Sequence, residues 1–144
     1  MSEFNAEKYL EAQNDNLGSY EQALEEIRRG RKTSHWMWYI FPQIDGLGRS
    51  SLTRYYAIRD LEEARAYLQN DTLRERLIEI SQALLLHDKA IGSIMGFPDD
   101  MKLRSCMTLF READPQIDVF GKVLDRFYDG EPDDRTLEIL AGEE

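Results

Sequence analysis

Arg31, Lys32, Ser34 and His35 fall within five consecutive positions. Two cations, a hydroxyl and an imidazole set so closely make a donor cluster suited to an anion, since each offers N–H or O–H groups to one neighbourhood. Directly after them comes Trp36-Met37-Trp38-Tyr39-Ile40-Phe41-Pro42-Gln43, which holds both tryptophans and no charge. A bilayer span needs about 20 apolar residues, so this run must be buried in protein instead. It reads as a short helix, capped by Thr33 or Ser34 and ended by Pro42. The amides of residues 34–36 then point where Arg31 and Lys32 stand, adding the dipole of a helix start to the side chains. His35 is the candidate catalytic group, a general acid or base. Arg31, Lys32, Ser34, Trp36 and Gln43 are candidate ligand contacts, with Trp36 or Tyr39 stacking. The plainer readings are a solvated hinge for the basic pair, a space-filling hydrogen bond for His35 and a place in the core for each tryptophan. Trp36 and Trp38 point to different sides of a helix, so at most one of them lines a pocket.

Lys102, Arg104 and Ser105 form a second cluster, on a helix that starts in Asp99-Asp100. They are candidates to close the anion site from another element, so Arg31, His35 and Arg104 are expected to converge on one concavity. The plainer reading pairs Arg104 with Asp100, four positions away. Cys106 reads as a small buried filler, because no nucleophile motif joins it to a histidine. The two histidines, His35 and His87, are 52 positions apart and mark no metal site. No cofactor fingerprint is present: Gly46-Leu47-Gly48 follows no strand and lacks the third glycine of a dinucleotide loop.

The elements that position these groups are helical. Ser19-Tyr20-Glu21-Gln22 and Asp60-Leu61-Glu62-Glu63 have the form of capping boxes, opening helices over residues 20–29 and 61–69. Arg28, Arg29 and Gly30 make a helix end. Asp71 is read as the cap of a helix carrying Leu73, Leu77, Ile80 and Leu84. Further helices are expected over residues 101–112, 117–128 and, capped by Asp133 or Asp134, to Leu140. Residues 53–58 are the one place for a short strand. Nothing divides the chain, so the prediction is an all-α, single multi-helical domain over residues 1–144, with a short buried central helix from Trp36 to Phe41.

Charge and composition narrow the partners. The net charge is −10, yet residues 28–59 carry seven bases against Asp45 alone. Residues 1–27 come to −6 and residues 111–144 to −7. An acidic protein with one positive segment suits a small anion better than a long nucleic acid, which needs a stripe of phosphate contacts. The mean hydropathy of −0.58 argues against a membrane protein. No apolar leader follows the first residue, and the single cysteine excludes an internal disulfide. A cytoplasmic protein is the expectation.

Glu11-Ala12-Gln13, the long segment from Gly30 to Gln43, Gly46-Leu47-Gly48-Arg49-Ser50 and Lys102-Leu103-Arg104-Ser105-Cys106-Met107-Thr108-Leu109-Phe110 together resemble the domain of unknown function 1810 family. The resemblance covers nearly the whole chain and implies a small multi-helical protein, without implying an activity. Cys106 stands where the family often has a serine. More loosely, Asp99-Asp100-Met101-Lys102-Leu103-Arg104 is similar to helical proteins of the NAD- and ADP-ribose-associated superfamily. The expected function is binding, with hydrolysis by His35 as an extension, of a nucleotide, an ADP-ribose-like compound or a phosphorylated metabolite. The alternative is a non-enzymatic protein-interaction module using the acidic surface.

Overall fold

In the computed structural model, which describes residues 4–15 and 18–142, helix follows helix along the chain. They are α1 (Ala6–Gln13), α2 (Tyr20–Arg29), α3 (Met37–Ile40), α4 (Ser51–Tyr56), α5 (Leu61–Gln69), α6 (Asp71–Leu84), α7 (Ile91–Met95), α8 (Asp99–Ala113), α9 (Val119–Tyr128) and α10 (Asp134–Ala141). Ser19 accepts the Gln22 amide at 3.1 Å and Asp60 accepts the Glu63 amide at 2.8 Å, as the capping boxes require. Helix α2 stops at Gly30, whose φ of 86° is a left-handed conformation open to glycine. The cap of α6 is Asn70, which accepts the Leu73 amide at 3.0 Å. Asp71 sits one residue later, inside the first turn, where its charge still favours the helix start. Asp133 caps α10.

Residues 51–56 are helical rather than extended, because Ser50 caps them through the Thr53 amide at 3.1 Å. The extended geometry falls just outside: Ile58 makes a parallel β-bridge to Ile44, and no strand forms among the described residues. Helices α1 and α7 carry no clear periodic signal and were not anticipated. Within α1, Tyr9 and Gln13 are four positions apart and both buried. Gln13 donates to the Tyr39 carbonyl at 2.8 Å and accepts from Arg76 at 3.1 Å, tying α1 to α3 and α6.

Helix α8 lies at the centre of the packing. Leu103, Cys106, Met107 and Phe110 are fully buried, and α5, α7, α9 and α10 pack on this helix. Helix α6 packs on α1, α2, α5 and α9, while α3 packs on α1 and α4. Trp36, Met37, Tyr39, Ile40 and Phe41 are buried, as expected of the aromatic run. Trp38 is half-buried and stands apart from them. No described helix is long and apolar enough to cross a membrane.

Candidate functional site

The donor cluster of residues 33–36 does face an anion, and the anion is the protein's own. Gly30 turns the chain back along α2, so Thr33 and Ser34 pass over Glu26, which is only 4% exposed. The Thr33 and Ser34 amides donate to Glu26 Oε1 at 2.7 and 3.0 Å. The indole N–H of Trp36 reaches the same oxygen at 3.0 Å. The Ser34 hydroxyl donates to Oε2 at 2.6 Å and the Gln22 amide reaches Oε2 at 3.1 Å. Burial alone would raise the Glu26 pKa, but the hydrogen bonds from Ser34, Thr33, Trp36 and Gln22 outweigh it and hold the carboxyl at about 2. Thr33 and Ser34 are therefore not the cap of α3, and Ser34 and Trp36 have their polar groups committed before any ligand arrives.

The cations have an internal partner too. Lys32 Nζ lies 2.8 Å from Asp99 Oδ2, 2.6 Å from the Ser34 carbonyl and 4.8 Å over the Trp36 ring. Its amide donates to the Ile94 carbonyl at 2.7 Å. Lys102 stands 3.8 Å from the other Asp99 oxygen. The Lys32 and Lys102 segments thus meet, as the sequence suggested, around a carboxylate that already balances them.

Arg104 does not join them. At 100° per residue it lies about 140° round α8 from Asp99 and about 200° from Lys102. It donates to the Glu131 carbonyl at 3.0 Å and pairs with the Glu131 carboxylate at 3.4 Å, not with Asp100. Ser105, 6% exposed, bonds back to the Met101 carbonyl at 3.3 Å. Arg31 and His35 are exposed. The expected concavity of Arg31, His35 and Arg104 is not assembled. The cavities between α3 and α4, α5 and α8, and α2 and α6 are lined by none of the three. His35 has no hydrogen-bond partner among the described residues to set it up for proton transfer. The Cys106 thiol is fully buried and burial pushes its pKa up, which makes it inert.

What the motif leaves open is its other side. Trp38, two positions past Trp36 and so about 200° away on a helix, lines a cavity of about 10 Å³ with Gln43, Ile44, Thr53, Tyr56 and Ala57. That is room for one water. The Trp38 indole N–H and the Gln43 side chain have no partner among the described residues. Helix α4 covers the cavity without burying any of its own residues. Gly48 lets it sit there: a Cβ at this position would lie 2.3 Å from Thr53 Cγ2. Arg54 on α4 and Arg49 just before it are exposed and unpaired among the described residues.

Residues 3–140 match the family described as "Protein of unknown function (DUF1810)". The chain belongs to this family. The crystal structure of the conserved hypothetical protein Rv1873 from Mycobacterium tuberculosis is similar with a TM-score of 0.92. The two are 43% identical over 96% of this chain and 97% of that one. None of the curated proteins matches.

In this DUF1810 chain, Gln43 was the only cleft residue counted as a ligand contact from sequence. Trp38, Thr53 and Tyr56 were not counted, although the opposed faces of Trp36 and Trp38 allowed one of the two to line a pocket. The Glu26 carboxyl gives a pH signature. Its folded pKa of about 2 lies below the ordinary 4.5, so its contribution is fully present above pH 4.5 and lost as pH falls through 2. About 3 kcal/mol of stability should vanish across that window. Urea titrations between pH 6 and 2 should show it, and Glu26→Gln should flatten that part of the profile.

Proposed function

We propose that this DUF1810 domain binds a small anion carrying a planar ring, of the nucleotide or ADP-ribose kind, at the cleft between α3 and α4. The reading rests on one observation: where Lys32, Ser34 and Trp36 are committed to internal partners, the Trp38 indole and the Gln43 amide at the cavity stay unpartnered among the described residues, and α4 and the loop just before it carry the unpaired Arg54 and Arg49. Trp38 supplies a stacking face, Gln43 hydrogen bonds to a ring edge, and the arginines a charge for phosphate. The cleft as formed holds one water, so the ligand displaces the start of α4, whose residues Ser51–Tyr55 are mostly exposed, while Tyr56 stays anchored on Tyr9 and Tyr39. No paired acid and base line the cleft, so the role is binding and not turnover.

The test is a fluorescence titration with AMP, ADP-ribose and glucose 6-phosphate. Trp36 is fully buried, so Trp38 carries the signal. A saturable quench by AMP or ADP-ribose, with a rise in melting temperature corresponding to about 2.7 kcal/mol at a hundredfold excess over Kd, is expected. Trp38→Phe should abolish the quench and Gln43→Ala should weaken binding about tenfold, the scale of one polar contact. Absence of any quench or thermal shift at millimolar ligand would refute the proposal.

A further inference from the structure

The end of α2 gathers cations from three elements. Arg28 and Arg31 are exposed and have no carboxylate partner among the described residues. Lys89, from the loop between α6 and α7, reaches the Gly30 carbonyl at 2.7 Å. Arg126 of α9 donates to the His87 carbonyl and lies 3.2 Å from Asp88. A Cβ on Gly30 would meet both the His87 ring and Lys89 Nζ at 3.2 Å, which places the loop directly against the turn between Arg29 and Arg31. Part of this has a local cause. Lys89 and the His87 ring cover the last carbonyls of α2, where the dipole favours positive groups. That does not account for Arg28 and Arg31, nor for Leu86 in the same loop, which is 83% exposed.

We propose that this corner docks an acidic segment of a partner protein, with Leu86 against an apolar side chain of that segment. The charges specify the occupant. In a protein of net charge −10, a confined positive patch attracts a short acidic stretch, while the surrounding field rejects an extended polyanion. The two carboxylates at the patch, Glu25 and Asp88, are themselves largely exposed, so a competing acidic chain displaces them at little cost. The patch shares no residue with the α3–α4 cleft, so the two proposals fail separately.

The test measures fluorescence anisotropy of a labelled glutamate-rich peptide with one central leucine, against a single-stranded DNA oligomer of equal charge. The intact protein should bind the peptide at low salt and release it as sodium chloride rises toward about 0.5 M, where the Debye length falls to about 4 Å and the attraction of the patch beyond direct contact is screened. Arg28→Gln combined with Arg31→Gln should weaken binding about tenfold or more, the effect of deleting two attracting charges. Leu86→Ser should weaken it further, with the melting temperature of each variant unchanged. No peptide binding at low salt, unchanged binding by the arginine variant, or equal or tighter binding of the DNA would each overturn the proposal.

Discussion

Replacing Trp36 with alanine should lower the unfolding free energy by about 3–5 kcal/mol, the range for truncating a fully buried large aromatic. The same change at Trp38 should cost about 1 kcal/mol, a typical value for a side chain that is not fully buried. The two tryptophans are two positions apart, Trp36 just before α3 and Trp38 within it, and composition alone does not separate them. Their surroundings do. Trp36 is 0% exposed, packs on Phe41 with ring centroids 6.1 Å apart, supports the Lys32 ammonium and donates to Glu26. Its removal leaves a cavity and strips a donor from a buried carboxylate. Trp38 borders a cavity already large enough for a water and has no polar bond to lose. Urea denaturation of both variants checks this. Equal losses would mean that Trp38 belongs to the core, and the cleft reading would fall with it.

Glu26→Ala should cost about 3 kcal/mol, because it leaves the Thr33 and Ser34 amides, the Ser34 hydroxyl and the Trp36 indole without their acceptor. Each buried donor left unpaired costs about 1–3 kcal/mol, and the exposure of Thr33 lets water recover part of the loss. Ser34→Ala removes one donor only and should cost about 1 kcal/mol. The ordering is as informative as the size. An acidic residue in a strongly acidic segment would normally be neutral or beneficial to remove, since it relieves charge repulsion. A stabilising or neutral Glu26→Ala in denaturant titration would show that the hydrogen-bond hub contributes nothing.

The fold was largely legible because its helices announce themselves at their ends. Ser19 with Gln22, Asp60 with Glu63, and Gly30 after Arg28 and Arg29 are local chemistry and need no tertiary knowledge. Helix α4 was less so: its tyrosines favour a strand, and the Ser50 cap decided the matter. The site was half legible. Thr33 and Ser34 do donate to an anion and Lys32 pairs with another, while Arg31 meets neither, and a sequence does not reveal that Glu26 and Asp99 fill the place of a ligand. The signal available was spacing. Gln22, Glu26 and Gly30 recur every four residues, so the two side chains share a stripe of α2 and the chain reverses directly onto it. Arg104 was misplaced for the opposite reason. Its charge matched the idea of a pocket, while its position on the helix wheel, away from Lys102, already forbade the meeting.

The central claim is that the donors of Thr33, Ser34 and Trp36 are closed on an internal carboxylate, which leaves the Trp38 and Gln43 side of the stretch for a small ligand. A carbon-detected NMR titration of the Glu26 side-chain carboxyl in the native protein tests it most directly. The account predicts that the carboxyl stays ionised well below pH 4 and titrates near 2. A midpoint at the ordinary value of 4.5 would contradict it, because the donors of residues 33–36 would then be free for an external anion after all.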